Sequence, residues 1–162
     1  MTKVKIGLIS LGCAKNQVDL EKLAGRLRAG YDFTDDTSEA DSMIVNTCGY
    51  IRPAVEEAIE AVLSARQEMR EGAKLIVFGC MTERYAGEVG DELPEIDFIA
   101  GVNQHDAIVD YINGLYPAEM PHDRYLLNPE HYAYLKISEG CNNRCTYCTI
   151  PSIRGPHISV EK

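Results

Sequence analysis

No stretch of this 162-residue chain approaches the roughly 20 apolar residues of a membrane-spanning helix, so a membrane span is not expected. The opening MTKVKIGLISLGCA is basic and then apolar, but Ile6 to Leu11 is too short for a secretory core. A lipoprotein cleavage before Cys13 also fits poorly, because Ser10 stands where a branched aliphatic residue is wanted. Basic residues are in deficit: 16 Lys and Arg against 25 Asp and Glu give a net charge of −9. A surface that acidic repels phosphates at long range, so direct nucleic-acid binding by this segment is not expected. Internal repeats and low-complexity tracts are lacking. Cytoplasmic residence is the expectation, and in that reducing compartment six cysteines read as metal or redox ligands rather than disulfides.

The run GCNNRCTYC at 140–148 also lacks something: it has three cysteines and no fourth. Cys141, Cys145 and Cys148 stand in a C-x3-C-x2-C spacing. A structural zinc site and a closed ferredoxin-type cluster each take four protein ligands, so three clustered thiolates argue for an iron–sulfur cluster with one open iron. The spacing resembles the signature of the radical S-adenosylmethionine enzymes. A zinc site completed by His157 is the alternative, although zinc ligands usually come as two close pairs. Asn142, Asn143, Arg144 and Thr146 make the loop polar, which argues against three thiols buried as small hydrophobes.

With 45% hydrophobic and 25% charged residues, the chain can bury one good core but hardly two. One main domain with an appendage is expected. Residues 1–115 alternate strand and helix signals. Val4 to Leu11 is a mostly apolar run; Asn16 is placed to cap a helix whose Leu20, Leu23, Ala24 and Leu27 share a face, with Gly30 as its stop. Met43 to Val45 forms the next strand. Pro53 suits the first turn of a helix that packs Val55, Ile59, Val62 and Leu63 and ends at Gly72. Leu75 to Phe78 and Phe98 to Ala100 read as further strands, and Gln104 to Asn113 as a helix packing Ile108, Val109 and Ile112. The acidic stretch from Glu83 to Asp97 reads as a solvated face, with Tyr85 and Leu93 turned inward. Buried strands separated by helices imply a parallel sheet with right-handed crossovers. The fold class expected is α/β, a doubly wound parallel sheet.

That fold turns the other cysteines into a constellation. Cys13, Cys48 and Cys80 each follow a strand, at the carboxyl edge where ligands bind in open α/β sheets, and each has a glycine beside it: Gly12, Gly49 and Gly79. Any one of them alone is explained as a small core hydrophobe. Three in equivalent positions, 35 and 32 residues apart, point to a second cluster with its own open iron.

Residues 116–132, with Pro117, Pro121 and Pro129 among Glu119, Asp123, Asn128 and Glu130, read as a polar linker. From 133 to 162, Ala133, Leu135 and Ile137 alternate with Tyr134, Lys136 and Ser138 as a half-buried strand delivering the chain to Cys141. His105, His122, His131 and His157 are scattered and are given no ligand role.

The segments SLGCAKN at 10–16, VNTCGYI at 45–51, GCMTERY at 79–85 and ISEGCNNRCTYCTIPSIRG at 137–155, in this order, resemble the methylthiotransferases of the radical S-adenosylmethionine class, most of all the RimO type. The resemblance covers essentially the whole chain. It implies two [4Fe-4S] clusters, an auxiliary one on Cys13, Cys48 and Cys80 and a second on Cys141, Cys145 and Cys148. It further implies S-adenosyl-L-methionine as co-substrate, with the backbone of Tyr147 beside its adenine, and no catalytic residue beyond the cluster ligands. The implied partners are a small-subunit ribosomal protein, modified at an aspartate β-carbon, and an electron donor such as flavodoxin. The related MiaB type, which modifies a tRNA adenosine, is the alternative.

The chain departs from that pattern in two respects. A complete (β/α)8 barrel takes about 250 residues, and only 133–162 remain for it, enough for one strand and its loop. The family's basic R-S-R stretch is replaced here by His157, Ile158, Ser159 and Val160. The expectation is an N-terminal portion, inactive by itself. A non-catalytic flavodoxin-like electron-transfer module would need the rim cysteines but not the second triplet, and a zinc-stabilised interaction domain would contain zinc and no iron.

Overall fold

The computed structural model describes residues 3–118, 124–129 and 131–160. Five parallel strands form one sheet: β1 (Lys5–Ser10), β2 (Asp32–Thr34), β3 (Ser42–Thr47), β4 (Lys74–Gly79) and β5 (Phe98–Ala100), in the order β2-β1-β3-β4-β5. Successive side chains of a strand point to opposite faces, so each central strand feeds two cores. On one face Met43, Val45, Leu75 and Val77 pack with Ala58, Val62 and Ala65 of helix α2 (Arg52–Glu68). On the other, Ile6, Ile44, Ile76 and Phe78 meet Leu20, Leu23 and Leu27 of α1 (Ala14–Leu27), together with Ile108, Val109 and Ile112 of α5 (His105–Leu115). This is the doubly wound α/β class inferred from the sequence.

Two short helices that the sequence pattern did not announce, α3 (Cys80–Arg84) and α4 (Val89–Glu92), lead into and occupy the acidic stretch. They bury Met81, Val89 and Leu93 against the α2 face, with Tyr85 partly buried beside them. The short edge strand β2 was likewise unannounced. It pairs with β1 through three residues only, too few for an alternation to be seen.

Asn16 does not cap α1. The helix begins at Ala14 with Cys13 as its cap residue, and Asn16 is fully buried inside the first turn. α1 stops at Leu27 before Gly30, and α2 at Glu68 before Gly72, while Pro53 does sit in the first turn of α2.

The strand expected from Ala133 is reduced to β6 (Ser138–Glu139), which pairs antiparallel with β7 (Ile158–Ser159). Its alternation is inverted. Leu135 and Ile137 are 82% and 70% exposed, whereas Lys136 turns inward to Asp19 and Glu139. The Lys136 ammonium, held between two carboxylates, takes the inward position, and the alternation then leaves Leu135 and Ile137 facing outward. Of the linker expected at 116–132, residues 119–123 and 130 lie outside the described residues, including Glu119, Pro121, His122, Asp123 and Glu130. Residues 124–128 are fastened to α1. Arg124 pairs with the fully buried Glu21, which also accepts from the Leu127 amide, and Gln17 donates to Asn128.

Candidate functional site

The strand order reverses direction between β1 and β3, and ligands of open α/β sheets bind where such a reversal leaves a crevice at the carboxyl edge. Cys13 follows β1, Cys48 follows β3 and Cys80 follows β4. They line a single cavity of about 490 Å³ with Gly12, Asn16, Tyr50, Ile51, Ala54, Ile150 and Arg154. The topology therefore brings together three cysteines that are far apart in sequence.

Two glycines permit this convergence. Gly12 has φ +90°, and a Cβ on it would lie 2.7 Å from Cys48 Cβ. Gly79 has φ +116°, and a Cβ there would lie 2.6 Å from the Thr47 carbonyl oxygen. Both positions combine a left-handed backbone with close approach, which only glycine meets without strain.

Asn16 organises the floor. Its Nδ2 donates to the carbonyls of Leu11 and Thr47, each at 3.0 Å, which fixes the amide so that Oδ1 faces the cysteines. Cys13 Sγ lies 3.8 Å and Cys80 Sγ 3.6 Å from that oxygen. Cys13 is exposed, Cys48 half-buried and Cys80 buried. Burial pushes the Cys80 thiol up, and the Arg154 guanidinium pulls against it.

The second triplet sits beside the first. Cys141 and Cys148 are half-buried and Cys145 is exposed. The loop is closed by the Cys141 amide on the Gly155 carbonyl (3.0 Å) and the Cys148 amide on the Cys145 carbonyl (3.1 Å). A short helix, α6 (Ile150–Arg154), carries the chain away and presses Ile153 against Cys80 and Val102. Tyr147 is 81% exposed. Tyr50 joins the two sites: it is one of the residues lining the cavity of the first triplet, and its hydroxyl lies 4.0 Å from Cys148 Sγ. That contact with Cys148 raises the Tyr50 pKa. His157, the alternative zinc ligand, is exposed, and its backbone N–H donates to Asn142 Oδ1.

Sequence reasoning missed Arg154, which is 95% buried, with only 5% of its surface exposed. Its Nη1 donates to Asp19 Oδ2 (3.0 Å) and Glu139 Oε2 (2.8 Å), and its Nη2 to Asn16 Oδ1 (2.5 Å) and Cys80 Sγ (3.3 Å). Cys80 when ionised, Asp19 and Glu139 hold it charged in spite of its burial. Burial alone would raise Glu139, yet Lys136, the Gly140 amide and Arg154 bring it down to about 2. A signal was available: Asn16 precedes Leu20 by four residues and Leu23 by seven, which puts it on the apolar stripe of α1, where a buried polar side chain needs polar partners.

The donor set suits a multi-iron group. Among the described residues no three Cys, His, Asp or Glu side chains converge closely enough to hold a single ion. Iron–sulfur clusters are held by Cys thiolates, and in a cluster of several irons those thiolates ligate different metal atoms and so stand further apart than ligands of one ion. Three thiols around one roomy cavity fit that demand.

Comparison with known proteins places this geometry in a class. The model of the family described as "Uncharacterized protein family UPF0004" matches residues 5–101. The chain belongs to this family, whose domain is the N-terminal domain of methylthiotransferases. More particularly, it is similar to proteins named ribosomal protein uS12 methylthiotransferase RimO. That of Chlorobaculum tepidum is 44% identical over 160 residues, covering 97% of this chain and 37% of the relative. That of Aquifex aeolicus is 46% identical over 157 residues, 96% of this chain and 35% of the relative. The chain thus spans little more than a third of the length of the curated relatives it matches.

Proposed function

We propose that this chain is the N-terminal portion of a radical S-adenosylmethionine methylthiotransferase that modifies an aspartate of ribosomal protein uS12. The observation that carries the reading is the convergence of Cys13, Cys48 and Cys80 on one cavity, with Cys148 of the second triplet reached from its wall by Tyr50. Each triplet would hold a [4Fe-4S] cluster by three thiolates, leaving one iron free for a ligand. When bound, these clusters supply one-electron reduction of S-adenosylmethionine at the second triplet and a seat for the transferred sulfur at the first.

The chain's own residues do the positioning. Asn16 ties together the ends of β1 and β3 that carry Cys13 and Cys48 by donating to the Leu11 and Thr47 carbonyls, Ile51, Ala54 and Ile150 give the cavity apolar walls, and Tyr147 offers its backbone to the adenine side of the co-substrate. The net charge of −9 favours a basic ribosomal protein over tRNA as the partner of this segment. No helix among the described residues is long and apolar enough to cross a membrane. Six free cysteines suit the cytoplasm, where a reduced flavodoxin-type donor is at hand.

Anaerobic reconstitution tests the reading. The chain should take up about eight irons, four per cluster, and changing Cys13, Cys48 and Cys80 together to Ala should leave about four. Full loading in that triple variant would sink the assignment. Cleavage of S-adenosylmethionine should require an extended chain and be lost there on Cys145→Ala.

A further inference from the structure

We propose that Arg154 is a positioning residue for the group on the first triplet, donating to the Cys80 sulfur and coupling that site to the segment that carries the second triplet. This rests on the reading that Cys13, Cys48 and Cys80 hold an iron–sulfur cluster.

The guanidinium is built in rather than merely nearby. Nη1 is committed to Asp19 Oδ2 and Glu139 Oε2, which leaves Nη2 directed at Asn16 Oδ1 and Cys80 Sγ. The planar fork of arginine fits this division, two N–H groups to carboxylates and two toward the cavity floor, in a way that a lysine ammonium cannot copy. With the thiols protonated, Cys13 and Cys80 contact Asn16 Oδ1. Once they are thiolates they have no proton to offer that carbonyl, and Arg154 supplies both the donor to the Cys80 sulfur and the cation beside it. Hydrogen bonds to the sulfurs and the local charge are two of the levers that set the reduction potential of an iron–sulfur cluster.

Arg154 comes from α6, six residues after Cys148, yet its partners Asn16, Asp19 and Cys80 belong to the α/β domain. Its Glu139 partner lies two residues before Cys141, and Lys136 is paired to Asp19 and Glu139 alike. Residues on either side of the second triplet are therefore anchored in the same buried charge network as the floor of the first cavity. Displacing the loop of the second triplet would withdraw the donor from Cys80.

The test uses the chain reconstituted anaerobically with iron and sulfide. The first-triplet signal is taken as the electron paramagnetic resonance signal that disappears when Cys13, Cys48 and Cys80 are changed to Ala. For Arg154→Gln that signal should titrate at a more negative potential, since a cation and a sulfur donor are lost, and iron should be retained about 10- to 100-fold less well against a chelator. Arg154→Lys, which keeps the charge without the fork, should fall between the two. Unchanged potential and unchanged iron retention in a folded Arg154→Gln chain would overturn the proposal. Should that variant fail to fold, Arg154→Lys decides: a negative shift supports the role, and wild-type values in both measurements overturn it. A wild-type chain with no signal dependent on Cys13, Cys48 and Cys80 would instead refute the cluster reading itself, and this inference with it.

Discussion

The Tyr50 hydroxyl lies 4.0 Å from Cys148 Sγ, across 98 residues of sequence, while Tyr50 is also among the residues that line the cavity of Cys13, Cys48 and Cys80. One residue therefore borders the first triplet's cavity and contacts the second triplet. The Gly49 and Tyr50 carbonyls are held from outside by Arg84 Nη1, at 2.8 and 3.2 Å, so the loop between β3 and α2 is fixed where Tyr50 is needed.

Tyr50→Phe removes that hydroxyl from an exposed position and should change unfolding free energy by less than about 0.5 kcal/mol. Loss of the hydroxyl also removes a neighbour from the Cys148 sulfur and leaves it more open to reagent. Alkylation of Cys148, followed by mass spectrometry, should quicken in the variant while Cys145 is unaffected. Equal rates at Cys148 would show that the contact has no chemical weight.

The Glu21–Arg124 pair should respond asymmetrically to truncation. Glu21 is fully buried and Arg124 is 28% exposed at its side chain. Arg124→Ala leaves the buried carboxylate without its countercharge and should cost about 3–5 kcal/mol. Glu21→Gln leaves an arginine that can turn toward water and should cost less. Urea unfolding of the two variants checks the order; the reverse order would mean that residues 124–128 contribute little to the burial of Glu21.

The α/β domain should fold without metal. Its two cores are complete around the central strands, so burial supplies the stability that metal ligation supplies in a zinc finger. After chelation the chain should still unfold cooperatively, and Leu20→Ala should lower stability by about 2–5 kcal/mol in that apo state. A metal-free chain with no cooperative transition is the contrary outcome.

Acid should release the segment around β6 and α6. Glu139 is depressed from the ordinary 4.5 to about 2, with burial working against the depression and Lys136, the Gly140 amide and Arg154 producing it. A carboxylate with a lowered folded-state pKa contributes stability that is fully present above about pH 4.5 and is lost as pH falls toward 2. The groups facing Glu139 are Lys136, Arg154 and Lys15. Pepsin should cut between residues 131 and 160 increasingly across that window, and Glu139→Gln should be susceptible already at its upper end. Uniform resistance down to pH 2 in the native chain would count against the ion-pair anchor.

Much of the fold was legible because periodicity carries it. The stripe Leu20, Leu23, Ala24, Leu27 and the apolar runs of β3 and β4 can be satisfied only inside a two-faced core, and the structure buries them there. What failed was reading by local chemistry. Asn16 has the side chain of a helix cap, yet its amide is taken by Leu11, Thr47 and Arg154, none of which is a local capping partner. Lys136 looked like the solvent side of a strand because its acidic partner Asp19 lies 117 residues away.

The sequence by itself determined the order of the main elements β1, α1, β3, α2, β4, β5 and α5, the doubly wound class and the strand ends that carry Cys13, Cys48 and Cys80, since hydrophobic period and chain connectivity are local properties. It also set the spacing of Cys141, Cys145 and Cys148, which lie within one short loop. Only the tertiary structure decided that Arg154 reaches Cys80, that Tyr50 stands between the triplets, and that Glu21 fastens residues 124–128. Those are meetings of charged and polar groups from distant segments. Such groups carry no periodic signature, and their burial becomes favourable only once the partner that satisfies them has been brought alongside.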